Sequence, residues 1–316
     1  MIDIDPALFA DHAISAETRA FNEALEAQLR DLPATHDIPP EVTRRARDEG
    51  KGLFPMHGPL DGSDWRDIDF GGRVRVTPSP RPQATGVYLH VHGGGWTIGS
   101  PAHSDRLNQR LAAATGAAVV SVRYRLAPED PWPAGPDDVM NAARWVIGNA
   151  KAEFGTDRIV IGGESAGAHL SALALLRLRA EGLGGRIHGA VFNYGVFDLR
   201  MTASMRNWGA RQLVLSTPTV AWFTDNFVPD AATRSDPIAS PLLADLAGMP
   251  PALFQVGTMD PLVDDSLQMA ARWAGAGLGA RLAVYPGGIH AFDMFDLAIS
   301  RQAHAAAQTF ITEMFG

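Results

Sequence analysis

The stretch Ile159-Val160-Ile161-Gly162-Gly163-Glu164-Ser165-Ala166-Gly167-Ala168 constrains this chain more than any other. A β-branched run ends in two glycines, a serine follows, and an Ala/Leu-rich run to Leu178 begins at once. That order reads as a buried strand turning sharply into a helix. Gly163 to Gly167 also fits the pattern G-x-S-x-G. The reason for the pattern is steric. A serine on so tight a turn holds strained backbone angles, and side chains two residues to either side would strike the neighbouring strand and helix. Glycine removes those collisions. The Ser165 hydroxyl is then expected to stand above the sheet, at the positive end of the following helix.

The rest of the chain supplies a sheet to hold this turn. Strands are expected at Trp65 to Phe70, Arg73 to Thr77, Gly86 to Val91, Ala117 to Tyr124, the turn strand itself, Ile187 to Tyr194, Ala252 to Val256 and Ala280 to Tyr285. Helices alternate with the later ones, at Gly135 to Phe154, after Ser165, at Leu262 to Ala274 and at Phe295 to Phe315. The alternation implies a mostly parallel sheet covered on both faces, with antiparallel strands at its start. Ligands of such sheets bind at the carboxyl ends of the strands, where Ser165 lies. Residues 1 to about 60 are helical instead. Ser15 to Leu32 places Phe21, Leu25, Leu29 and Leu32 at helical spacing, Pro39-Pro40 opens a second helix to Arg47, and Pro55 to Pro59 reads as a linker. Met201 to Phe227 breaks the alternation with Trp208, Trp222, Phe223 and Phe227, and is expected to cap the strand ends.

Composition narrows the function classes. With 46% hydrophobic residues in 316, the chain can bury a large core. A net charge of −8 gives no broad footprint for nucleic acid. Its one basic cluster, Arg44-Arg45-Arg47, alternates with acids and reads as a solvated helix face. There is no cysteine, which excludes disulfides and thiolate chemistry. The acidic start, Met1 to Pro6, lacks a basic segment followed by an apolar run, and no apolar stretch is long enough to cross a bilayer. A soluble cytoplasmic protein without stable membrane insertion is expected. Oligomeric state stays open, a homodimer included.

A serine hydroxyl needs a base to take its proton and an acid to orient the base. For a serine on this turn the chain order is serine, acid, histidine. After Ser165 the histidines are His169, His188, His290 and His304. His169 would point along the helix, His188 precedes a strand at the wrong sheet edge, and His304 lies inside the last helix on the solvent side. His290, in the loop Pro286 to Phe292 after the final strand, is the expected base. Asp260 follows the Ala252 strand at the same edge and is the expected acid. Asp264 and Asp265 are expected to cap the next helix, and Asp236 comes too early. The strand ending at Val91 runs into His92-Gly93-Gly94-Gly95-Trp96. Three glycines there suit backbone amides that must approach a developing oxyanion. Gly94, Gly95 and Ala166 are the expected donors.

These residues together resemble the hormone-sensitive-lipase-like family of α/β-hydrolases, the bacterial family IV esterases. The resemblance rests on His92 to Trp96, on Tyr124-Arg125-Leu126-Ala127-Pro128-Glu129 with Pro131 and Pro133-Ala134, on Gly163 to Gly167, on Asp260-Pro261-Leu262 and on His290. It departs mildly at Glu164 and Ala168, where the family usually carries Asp and Gly. The resemblance implies an α/β-hydrolase fold with an eight-stranded, mostly parallel sheet flanked by helices. It also implies a helical cap from residues 1–60 and an insertion around 199–235, on a catalytic body of 61–316. Implied too are hydrolysis of short-chain carboxylic esters through an acyl-enzyme, a small-molecule ester as partner, and no metal or cofactor. By the same resemblance His92, with Gly93, shapes the oxyanion loop rather than moving protons. Two other classes stay open: an arylformamidase or amidase using the same triad, and a non-catalytic small-molecule binder. Retention of Ser165, Asp260 and His290 argues against the binder.

Overall fold

The computed structural model describes residues 2, 4–55, 57–69 and 71–316. Expectations that fell on Met1, Asp3, Met56 and Phe70 lie outside the described residues. One sheet of eight strands forms the centre. Its strands are β1 (Asp64–Asp67), β2 (Arg73–Thr77), β3 (Val87–Val91), β4 (Ala118–Arg123), β5 (Ile159–Glu164), β6 (Gly189–Asn193), β7 (Ala252–Met259) and β8 (Ala280–Ile289). They run in the order β1-β2-β4-β3-β5-β6-β7-β8. β1 and β2 pair antiparallel, as does β2 with β4, and every later pair is parallel. β3 and β6 are buried along their whole length, as strands covered on both faces must be.

Nine α-helices accompany the sheet among the described residues. They are α1 (Ala16–Arg30), α2 (Pro40–Asp48), α3 (Asp105–Thr115), α4 (Ala134–Phe154), α5 (Ala166–Ala180), α6 (Ala203–Trp208), α7 (Thr217–Phe227), α8 (Val263–Gly275) and α9 (Ala298–Phe315). α3 and α9 pack one face, where Tyr88, Val160 and Val191 meet Phe310 and Ile311. α4, α5 and α8 pack the other, where Phe192, Phe254 and Trp273 cluster at ring distances of 5.1–5.6 Å. None of these helices is long and apolar enough to cross a membrane.

Three differences from the sequence reading have physical reasons. α3 went unread because its buried face carries Asp105, Asn108 and Thr115 beside Ala112, so no apolar period marks it. β7 and β8 run longer than their apolar cores. β7 shifts register between Gly257 and Met259, and the pairing resumes at Met259↔Ile289. Both Asp260 and His290 therefore leave the sheet within one residue of that last pair. Asp264 and Asp265 do not cap α8. Asp264 accepts from the Ser204 N–H at 2.8 Å, and Asp265 accepts from the N–H groups of Phe197 and Asp198 at 2.6 and 3.0 Å. They tie down the segment after β6 that leads into α6.

Candidate active site

Ser165 has φ 54° and ψ −118° between β5 and α5. That conformation costs a non-glycine residue about 1–3 kcal/mol and persists only when its surroundings enforce it. Here the Ser165 N–H donates to the Asn193 carbonyl at 2.9 Å, fixing the turn to β6. The elbow also presses on β3. A Cβ on Gly163 would lie 2.0 Å from the Val91 carbonyl oxygen, and one on Gly167 would lie 1.9 Å from the same atom.

The three residues expected to work together form one hydrogen-bonded line. His290 Nε2 is 2.9 Å from Ser165 Oγ, and His290 Nδ1 is 2.9 Å from Asp260 Oδ2. The Asp260 side chain is fully buried, and its other oxygen accepts from the Leu262 N–H at 2.8 Å. A carboxylate only accepts, so the ring proton sits on Nδ1 and Nε2 offers a lone pair to the serine hydroxyl. This arrangement can remove the Ser165 proton and hold the resulting imidazolium.

Beside the serine, Gly94, Gly95 and Trp96 all have positive φ, at 118°, 56° and 57°. The turn is closed by the Ile98 N–H on the Gly94 carbonyl at 2.9 Å. A Cβ on Gly95 would lie 2.4 Å from the Phe223 ring, so α7 rests directly on the loop. Among the described residues no protein acceptor takes the N–H of Gly94, Gly95 or Ala166. His92 is stacked on Tyr124 at 4.2 Å, and the Tyr124 hydroxyl donates to the His92 carbonyl at 2.9 Å. Burial pushes the His92 imidazole down to about 3, so it stays neutral and braces the loop. A cavity of about 390 Å³ opens over Ser165, His290 and this loop. Leu29, Leu32, Ile38, Val42 and Phe54 wall it on one side, and Leu215, Val220 and Phe223 on another.

Comparison with known proteins identifies the family. The family described as alpha/beta hydrolase fold matches residues 88–294, well over half of the chain. Carboxylesterase NlhH of Mycobacterium tuberculosis is 32% identical over 90% of this chain and 86% of its own length. An ethyl acetate hydrolase of Pseudomonas putida is 34% identical over 70% of each chain. A crystal structure of a hormone-sensitive lipase from a metagenome library superposes with a TM-score of 0.83 at 27% identity, covering 95% of this chain and 98% of its own. The chain belongs to the hormone-sensitive-lipase-like family of serine carboxylesterases.

The esterase uses its departures from the family pattern for packing. Glu164 reaches one carbon further than Asp and meets His90 Nε2 at 3.0 Å, while His90 Nδ1 pairs with Ser121 Oγ at 2.7 Å. A Cβ on Gly195 would lie 2.9 Å from that of Ala168, so the methyl at 168 is matched by its absence at 195. The discarded histidines have structural partners. His188 Nδ1 accepts from the Ile159 N–H at 3.2 Å. Buried His169 accepts from the Trp96 indole N–H at 3.1 Å and donates to the Ala239 carbonyl at 2.7 Å. His304 does not face solvent as expected: its Nε2 donates to the Asp293 carbonyl at 3.0 Å, because α9 packs under the His290 loop.

Two groups beside His290 were missed. Tyr194, with φ 40°, packs edge-to-face on His290 with ring centres 4.9 Å apart and donates its hydroxyl to Asp293 at 2.5 Å. Burial raises the Asp293 carboxyl above its ordinary value. The Phe292-Asp293 pair after His290 was the only sequence hint. The basic cluster is also not a solvated face. Only Arg45 is exposed, while Arg44 reaches across to the Thr97 and Ala127 carbonyls and to both Glu129 oxygens, each at 2.8 Å.

Proposed function

We propose that the esterase hydrolyses short-chain carboxylic esters through an acyl-enzyme on Ser165. His290 Nε2 takes the hydroxyl proton as Oγ bonds to the acyl carbon. Asp260 holds the imidazolium, and the N–H groups of Gly94, Gly95 and Ala166 receive the oxyanion. His290 then gives its proton to the departing alcohol, and a water attacks the acyl-enzyme by the same route in reverse. The observation that carries this reading is the unbroken line Ser165–His290–Asp260 at 2.9 and 2.9 Å below a cavity with three unclaimed N–H donors.

The short-chain preference rests on the cavity. Residues 1–60 and an insertion around 199–235 form its cap, and Leu29 and Phe223 line the cavity from those two segments. Of the insertion's other rings, Phe227 stacks on Trp96 at 4.5 Å, and Trp208 and Trp222 lie partly exposed. Each added methylene gains ~0.8 kcal/mol until the space is full, and overpacking then reverses the trend. The name of the Pseudomonas putida relative, an ethyl acetate hydrolase, points the same way. In a series of p-nitrophenyl esters, kcat/KM is expected to peak at two to about eight acyl carbons, by resemblance to the family, with triolein poorly cleaved. An optimum at long chains, or faster turnover of a formyl anilide than of the matching aryl ester, would replace this reading. Ser165→Ala should abolish both turnover and phosphonate labelling.

A further inference from the structure

The cavity wall carries a cation without a partner. Thr43 and Arg47 are four residues apart on α2 and share one face; both line the cavity that contains Ser165. The Arg47 stem is wrapped by the chain at Gly52, where a Cβ would lie 3.1 Å from its Cγ. Its guanidinium lies 5.4 Å from the centre of the Phe54 ring. The other inner arginine of this cluster, Arg44, is bound at four acceptors. The Arg47 side chain makes no hydrogen bond or ion pair among the described residues.

Its surroundings explain why that is costly. The acid that acts on Arg47 is Asp48, and Asp48 already accepts from His103 Nε2 at 2.8 Å. Glu164, the carboxylate on the cavity wall among the described residues, is turned to His90. Burial disfavours the charge of Arg47, yet an arginine keeps its proton, so the positive charge persists with no hydrogen-bonded carboxylate among the described residues. Lys51, at the same wall, is paired with Glu49 at 2.7 Å. Two more polar atoms of the wall are also unanswered: Thr43 Oγ1 and His103 Nδ1 are buried with no hydrogen-bond partner.

We infer that Arg47, with the Thr43 hydroxyl, is an anion subsite of the active-site cavity, and that the preferred substrates are esters bearing a carboxylate a few bonds from the scissile acyl carbon. The inference rests on the esterase reading of the same cavity. A planar guanidinium with free edges takes a carboxylate by two parallel N–H bonds, while Phe54 covers its face. The carboxylate could belong to the acyl half, as in a dicarboxylic half-ester, or to the alcohol half, as in an acylated hydroxy acid. The chemistry at Arg47 is the same for both.

The test compares matched pairs by kcat/KM. The acyl arm sets monoethyl succinate, glutarate and adipate against ethyl esters of neutral acids of equal length. The alcohol arm sets acetylated glycolate and 3-hydroxypropionate against ethyl and propyl acetate. In one arm the wild-type enzyme should favour an anionic ester at least tenfold over its neutral match, and that arm identifies the source of the carboxylate. Arg47→Met should bring the anionic-to-neutral ratio to one or below, and Arg47→Lys should leave it intermediate, because an ammonium keeps the charge without the fork. A wild-type ratio of one or less in both arms overturns the inference even if no variant folds. A ratio unchanged in Arg47→Met overturns it as well. In either case continued cleavage of p-nitrophenyl acetate leaves the esterase reading standing, whereas loss of all ester turnover in the wild type removes both.

Discussion

At the scale of single residues, the four histidines after Ser165 make the sharpest comparison. His290 and His169 are both buried and both near the serine, yet their partners separate them. His290 lies between a hydroxyl and a carboxylate, while His169 lies between an indole N–H and a carbonyl. The latter pair fixes its tautomer, and burial drives its imidazole down to about 4, so it has no proton to exchange near neutrality. His290→Ala is expected to lose several orders of magnitude in kcat. His169→Ala should lose mainly stability, because the buried Trp96 N–H is left unpaired at ~1–3 kcal/mol. Asp260→Asn should cost about 10³–10⁴-fold in kcat, since an amide favours the wrong imidazole tautomer. Steady-state rates and melting temperatures of the three variants check this ranking; a His169 variant as slow as the His290 one would move the base. This much was readable from chain order and strand ends alone. Tyr194 and Asp293 were not, since 99 positions separate two residues joined by one hydrogen bond. Arg47 was not either, because nothing in its neighbours' identities says which helix face turns inward.

At the scale of elements, the strands announced themselves by β-branched runs, and α4, α5 and α9 by length. What local pattern could not show was how elements are tied together. Asp265 is the case in point. It lies at the start of α8, where an acid usually caps its own helix, but it is buried and accepts from Phe197 and Asp198 of the β6 exit and from the Thr202 hydroxyl at 2.6 Å. Burial pushes its carboxyl up to about 7. The folded protein therefore holds that proton more tightly than the unfolded chain, whose carboxyl titrates near 4. Between those two values the folded state binds more protons, so stability falls as pH rises from about 4 to about 7 and is level above. Asp265→Asn keeps an oxygen for the two backbone donors and an amide for Thr202, whose hydroxyl can also accept. That variant should lose the pH slope and little else. Asp265→Ala should strand all three donors at ~1–3 kcal/mol each at every pH. Chemical denaturation at pH 5 and pH 8 decides it: a wild-type minus Asp265→Asn difference that does not change between the two would show that the carboxyl is ionised throughout.

For the whole molecule, the question is whether the first 60 residues are a removable lid or part of the body. Their outer contacts look like those of a lid: Arg211 to Glu26 at 2.8 and 2.9 Å, and His36 to Thr219 at 2.9 Å, both between residues 1–60 and the segment around 199–235. Their inner contacts do not. Leu25 and Leu29 of α1 belong to one buried cluster with Tyr194, Tyr285, Ile289 and Phe292, the residues that surround His290. Asn22 donates to the Gly287 carbonyl at 2.8 Å, three residues before His290. α2 holds the loop after β3 through Arg44 on the Thr97 carbonyl. Each fully buried leucine contributes ~1.5–3 kcal/mol, against a total stability of ~5–15 kcal/mol for a domain. Removing residues 1–60 thus withdraws two such leucines and the hydrogen bonds on both sides of the serine. The truncated chain is expected to melt well below the full-length esterase and to lose activity on p-nitrophenyl acetate, an ester small enough to need no cap. A lid would behave differently, since its removal admits longer substrates and spares the smallest. A truncated protein that melts within a few degrees of the full chain and cleaves the acetate at the full rate would show that α1 and α2 only cover a site the sheet already holds in place.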